Sequence, residues 1–411
     1  AQRVDDALSD CRDPMSAARS RHSAAYYQLA PNLNIDLSDL TPWGAADKLR
    51  EIIGSIAATI RELIGAYQDA DAAVDACQTA IVAALDTIEL PTALVAGVSV
   101  VDQVNLLTGG GPGDDTGPLR GSTAARAQAA LDAMTPGQRA AAQALLDAAT
   151  DQTSRGWILA AIASGLNGDA LDRYATQLAT MTPDQIDALD PTKQVYAFWQ
   201  PDGTTCGSSS LVMARMLNDP AYAMSVITGY DPRTGVQAVS LGQAVEGQME
   251  DSEPGAQMQR RFHQEVIQMH HQTSSLVDHS GRFNGWWPEA AGTTPGAAAR
   301  QMSGSDGLSG VPGSSYGVQL VDPLDRASTY DEIVRAVDDG HAVPIYTYDI
   351  NNDDGKSGAH VTLVTGTQGD DLVVYDPGKA ASMTVDREQF TTAQLGDPLG
   401  WDRPMAAVLP R

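Results

Sequence analysis

Apolar residues keep a helical period through the first half of the chain and change to strand-like runs toward its C-terminus. Between Ala45 and Ile88, the residues Leu49, Ile52, Ile53, Ile56, Ile60, Leu63 and Ile64 recur three or four apart, the stripe of an amphipathic helix. A shorter helical stretch from Asp5 to Ala30 precedes it, interrupted near Pro14, and an apolar segment runs from Pro91 to Leu107. Residues 1–107 therefore predict an all-α helical hairpin or bundle whose stripes must bury against one another or a partner. The run "TGGGPGDDTGPLRGS" (108–122) reads as a linker. Beyond it, "MTPGQ" at Met134 recurs as "MTPDQ" at Met181, each with Thr as N-cap and Pro in the first helical position. Residues 123–190 predict a small helical spacer.

From 191 onward helices come first and strands last. "SSSLVMARMLND", "GAQMQRRFHQEVIQMHHQTSSLVD", "TPGAAARQMSG" and "TYDEIVRAVDDG" carry helical spacing, whereas "AVPIYTYDI", "GAHVTLVTG", "DLVVYDPG" and "PMAAVLP" read as strands separated by turn residues. That order predicts an α+β domain over 191–411.

Composition narrows the partners. A net charge of −26 argues against nucleic acid and anionic membranes, which require clustered Lys and Arg. The longest apolar candidate, "ALVAGVSVV", stops at Asp102, well short of the roughly 20 residues a membrane span needs. The opening "AQRVDDALSD" reads as a helix start rather than a cleavable signal peptide, so export would use an internal, folded signal or follow trimming. Of three cysteines, Cys11 and Cys77 lie in the helical region, as a disulfide or as two separate buried thiols. No cofactor is expected.

Cys206 stands apart, between the polar loop "PDGTT" and the helical "GSSSLVMARML". A thiol attacks as thiolate, and a helix N-terminus favours the anion through its unsatisfied N–H groups. Gly207 lets the backbone approach a substrate. A base is needed, with a group to orient it. His360 opens "HVTLVTG", and a three-residue loop Thr367-Gln368-Gly369 would set Gly366 opposite Asp370 and His360 opposite Asp376. Gln200, six residues before Cys206, can supply an amide to an oxyanion hole together with the Cys206 N–H.

Gln, then Cys-Gly six residues on, then a distant His and a strand ending in Asp-Pro-Gly, resembles the papain-like cysteine peptidases, closest to the bacteriocin-leader-processing (double-glycine) group. "DDGHAVPIYTY" and "WWPEAAGTTPGAAARQM" add to the likeness, which covers about 191–411. It implies a papain-like domain with Cys206 as nucleophile, His360 as base, Asp376 as orienter and Gln200 in the oxyanion hole. "TTCGSSS" departs from the acidic residue often found before that cysteine, and the insert 218–290 lies outside the family core. The N-terminal region is similar to the helical substrates of type VII secretion: "YQDAD" (Tyr67 to Asp71) fits the Tyr-x-x-x-Asp/Glu signal, while "WGA" at Trp43 departs from Trp-x-Gly.

Together these readings imply a cysteine peptidase acting on a protein or peptide. It would be secreted or cell-surface after a cytoplasmic stage, with a helical secretion partner at its N-terminal region. A glutamine deamidase or transglutaminase, and a non-catalytic binding module on the same fold, are the alternatives. His263, His270 and His271 lack His-Glu-x-x-His spacing and read as a solvated helix face. The acidic loop Asp349 to Gly358 lacks the closing Glu of a calcium loop, and Trp286 and Trp287 fit a cleft or a core equally.

Overall fold

The structure is a computed structural model that describes residues 99–101, 104, 117–149, 151–238, 254–274, 292–303, 309–348 and 359–411. The chain divides into two compact units, Ala1–Gly97 and Val98–Arg411, and all described residues belong to the second. The expected N-terminal helices with Cys11, Cys77, Trp43 and Tyr67, the tryptophans Trp286 and Trp287, and the acidic stretch 349–358 lie outside the described residues.

From Thr123 onward five described helices follow one another: α1 (Thr123–Ala133), α2 (Pro136–Ala148), α3 (Gln152–Ala163), α4 (Gly168–Leu178) and α5 (Pro183–Ala188). Both Met-Thr-Pro motifs do what their residues dictate. Thr135 and Thr182 accept hydrogen bonds from the N–H groups of Gln138 and Gln185, whose side chains return to the cap N–H, and Pro opens each helix. Every residue of α3 from Gly156 to Ala163 is buried.

A 3₁₀ turn, Pro191–Ala197, leads to α6 (Cys206–Asn218) and α7 (Pro220–Thr228). A two-stranded ribbon follows, β1 (Tyr230–Asp231) with β2 (Val236–Gln237), then α8 (Pro254–Ser274) and α9 (Pro295–Met302). The remaining elements are β3 (Tyr316–Leu320), α10 (Arg326–Asp338), β4 (Val343–Tyr348), β5 (Ala359–Gln368), β6 (Asp371–Asp376), β7 (Ala381–Val385), α11 (Arg387–Thr392), α12 (Gly396–Leu399) and β8 (Arg403–Pro410). β3 to β8 form a six-stranded antiparallel sheet in the order β3-β8-β4-β5-β6-β7, so the fold is α+β, with most of its helices ahead of the sheet.

Both faces of this sheet are covered, which explains the nearly continuous apolar runs of β4 and β5. Tyr346, Val361, Leu363 and Tyr375 share a core with Leu211 and Met213 of α6 and with Trp157 and Leu146 of the first helices. Residues 123–190, expected as a spacer, thus contribute to the same core as the sheet. Ile345, Val364, Leu372 and Val374 face the other way, onto Ile333 of α10 and Phe390 of α11.

The β5–β6 hairpin departs from the expected register. Its turn is the two-residue Gly369-Asp370, with Gly369 at φ 63°, and Gln368 pairs with Asp371. A one-residue shift between Val364 and Gly366 leaves Thr365 as a bulge, after which Val364 pairs with Val374 and Leu363 with Tyr375. Continued outward, that register sets Thr362 opposite Asp376, so His360 is its diagonal rather than its direct neighbour. The bulge decides the outcome: without it His360 and Asp376 would point to opposite faces.

Among the described residues no helix is long and apolar enough to cross a membrane.

Candidate active site

The loop before α6 is tied to the end of β6. The Tyr375 hydroxyl donates to the Phe198 carbonyl, and the Gln200 N–H donates to the Pro377 carbonyl at 2.9 Å. Asp202 then folds the chain into a tight turn, its Oδ1 accepting from both the N–H and the hydroxyl of Thr204 at 2.7 Å. Thr205 closes the turn, its Oγ1 donating to the Asp202 carbonyl at 3.1 Å and accepting the Asp202 N–H at 3.2 Å. Burial works against the Asp202 charge, but the hydrogen bonds from Thr204 and Thr205 and the field of His270 hold its carboxyl below the usual range.

This turn delivers Cys206 to the first position of α6, with Thr205 as an N-cap whose side chain makes no capping bond. Cys206 is a free thiol, 7% exposed. His360, on β5, is 8% exposed, and its Nε2 meets Asp376 Oδ1 at 2.8 Å. The same carboxylate oxygen accepts the Gly378 N–H at 2.8 Å. The Cys206 side chain lies close enough to the imidazole to favour its charge. With Nε2 committed to Asp376, Nδ1 is the ring nitrogen left to face the sulfur. Burial opposes charge on His360, but the bond to Asp376 and the negative fields of Cys206 and Asp376 outweigh it, pushing the imidazole up to about 9. Near neutral pH the ring therefore holds its proton between sulfur and carboxylate.

Gln200 stands beside this group. A β-carbon built on Gly378 would lie 3.3 Å from Asp376 Oδ1, 3.5 Å from His360 Cε1 and 3.7 Å from Gln200 Oε1. The Gln200 Nε2 donates one hydrogen to the Asp202 carbonyl at 2.7 Å, which leaves its second N–H uncommitted by that bond. Gly207 serves a different purpose from the one expected. A β-carbon there would meet Thr293 Cβ at 2.7 Å, so the space it leaves is filled by the protein, not kept for substrate.

Four further features were missed in the sequence. The Trp401 ring stacks on His360 with centroids 6.1 Å apart and planes 24° apart. Tyr346 is buried within the electrostatic reach of Cys206. His270 is not on a solvated face: it is 4% exposed, and its Nδ1 lies 3.3 Å from the hydroxyl of Ser208, which also meets Thr293 Oγ1 at 3.0 Å. His263 is partly buried and stacks on Trp199 with centroids 6.1 Å apart; burial lowers its imidazole, against a hydrogen bond at the Trp199 backbone. Only for His270 was a signal present. Phe262, Val266 and Met269 form the apolar stripe of α8, and His270 directly follows Met269.

The arrangement can hold a thiolate against a protonated imidazole, with hydrogen-bond donors at a helix start and on Gln200. No family model, curated protein or solved structure matches this chain.

Proposed function

We propose that this chain is a cysteine hydrolase that cleaves an amide bond, its C-terminal domain a papain-like peptidase acting on a protein or peptide. One observation carries the reading: His360 hydrogen-bonds the buried Asp376 and stands beside the Cys206 side chain, at the first position of α6, with its charge favoured by both. An imidazole kept protonated beside a thiol favours the attacking thiolate and makes the ring a ready acid.

In this mechanism the Cys206 thiolate attacks the amide carbon, and the C=O π pair moves to oxygen. That oxyanion meets the Cys206 N–H and the second N–H of Gln200. On collapse the C–N bond breaks, its pair stays on nitrogen, and the His360 proton passes to the leaving amine. Neutral His360 then takes a proton from water as the water oxygen attacks the thioester. Collapse expels thiolate beside imidazolium and releases the acid. Asp376 holds the ring in the orientation both transfers need.

The test pairs a chemical probe with substrate profiling. Iodoacetamide near neutral pH should alkylate Cys206 well ahead of a free thiol, and a peptide library should yield cleaved products lost in both Cys206→Ala and His360→Ala. Ammonia release from glutamine without chain cleavage would move the reading to a deamidase, and amine incorporation to a transglutaminase. Slow labelling with no turnover would leave a binding module. A His360→Ala protein that keeps its activity would remove the assigned base.

A further inference from the structure

Tyr346 carries a buried hydroxyl that the mechanism above does not use. The residue is 2% exposed on β4, and its Oη is enclosed with no hydrogen-bond partner. A hydroxyl stripped of water and left unpaired is a cost to the fold, and such groups concentrate where chemistry or binding retains them. Its position is fixed by the strand register. Tyr346 pairs directly with Val361, whose Cγ2 lies 3.5 Å from where a β-carbon on Gly207 would stand. Tyr346, Val361 and Cys206 belong to one core cluster, so the phenol packs on the sheet face that meets the first turn of α6. Burial first, and the negative charge of Cys206 second, hold the phenol well above its ordinary ionisation, so it persists as an O–H donor.

We infer that Tyr346 is a positioning residue that donates its hydroxyl hydrogen to the Cys206 sulfur when that sulfur is anionic, as a second donor beside His360. The inference rests on the hydrolase reading and deepens it. A thiolate held by two donors from different elements is fixed in direction as well as in charge. It is also less reactive per anion than one held by the imidazole alone, because a donor that stabilises the anion lowers its basicity. Tyr346 thus trades some intrinsic reactivity for a larger anionic population and a single attack direction.

Tyr346→Phe in the full chain tests this, because it removes one oxygen and keeps the ring. Iodoacetamide labelling of the Cys206 peptide is followed by mass spectrometry from about pH 5 to about pH 10, the span over which thiolates form. On the acid side the variant should label about tenfold more slowly, the usual worth of one hydrogen bond to a charged group. On the alkaline plateau it should label as fast as the wild type or faster. That crossover separates positioning from packing, since a loosened site labels more slowly at every pH. Profiles that coincide, or a uniform slowing, would overturn the role of Tyr346. Thermal unfolding in a Cys206→Ala background gives the second readout: there Tyr346→Phe should melt no lower than its parent, because no sulfur is left to accept the hydroxyl. A clear drop would mean that the hydroxyl has a structural partner, and the inference would fall. If Cys206 of the wild type labels no faster than a free thiol, the hydrolase reading falls and takes this one with it. Fast wild-type labelling with unchanged variant profiles removes Tyr346 alone.

Discussion

Among the described residues four helices begin on a threonine N-cap, α9 with Thr294 accepting the Ala297 N–H, and the difference between α6 and the others is instructive. At α2 and α5 the cap hydroxyl accepts the third N–H and a glutamine returns the bond, so the start is closed by reciprocal pairs. At α6 Thr205 occupies the same position, yet its hydroxyl turns back onto the Asp202 backbone and makes no capping bond. A cap of the first kind adds about 1 kcal/mol of stability. The second kind gives that up and leaves the first turn of α6 without a side-chain acceptor, beside a thiol. One residue type in one position thus serves the fold at three helices and the site at the fourth.

The deepest break in that comparison comes from removing what sits opposite the uncapped start. His360→Gln keeps a hydrogen-bonding side chain but neither acid nor base, and turnover should fall by roughly 10²–10⁴, the range for general acid–base groups. Labelling of Cys206 at neutral pH should fall to that of an ordinary thiol, whereas the melting behaviour of α2 and α5 should not change. Deleting Thr362 attacks the same group through the backbone. With one residue fewer beyond Leu363, Ala359 to Val361 advance by one position along β6, which sets Val361 opposite Asp376 and sends His360 to the opposite face. Activity should drop at least as far as in Asp376→Ala. A deletion that retained activity would show that the hairpin register does not set the pair.

The hairpin also shows what the sequence could and could not reveal. That His360 and Asp376 meet follows from two apolar runs and a glycine turn, but the turn is one residue shorter than its residues suggested and the bulge at Thr365 is invisible in them. Two local misreadings kept the parity of the face, so the pair survived them. Helices with a cap residue and a periodic stripe, such as α2, α5, α9 and α10, were legible, as were the long apolar strands β4, β5, β6 and β8. β3 and β7 were not: "YGVQL" is interrupted by glycine, "ASMTV" is short and small, and both lie at sheet edges where one side needs no partner. Around the thiol, Cys206 announced itself through its loop-to-helix context. Trp401 and Tyr346 reach the site only through tertiary packing, and neither has a local pattern that points there.

The charge held at the uncapped start gives a pH signature. His360 is raised from 6.5 to about 9 in the folded chain, so the native state binds this proton more tightly than the unfolded state. Its contribution to stability is then fully present below about pH 6.5 and is lost as pH rises through about 9, a few kcal/mol at most. Urea unfolding at neutral and alkaline pH should show that loss in the wild type and a flatter dependence in His360→Gln. Equal slopes would place the proton elsewhere.

The smallest effects separate the two kinds of cap directly. Thr182→Ala removes the hydroxyl that accepts the Gln185 N–H and leaves Gln185 with half of a reciprocal pair. It should cost about 1 kcal/mol, read as a melting point lower by a few degrees, with Cys206 labelling unchanged. Thr205→Ala should do the reverse. It loses no capping bond, but it frees the Asp202 turn that aims Cys206, so labelling should slow several-fold while Thr205→Ser, which keeps the hydroxyl, restores it. If Thr205→Ala instead costs the stability of an ordinary cap and leaves labelling untouched, the four helix starts are alike, and the open start of α6 has no bearing on its thiol.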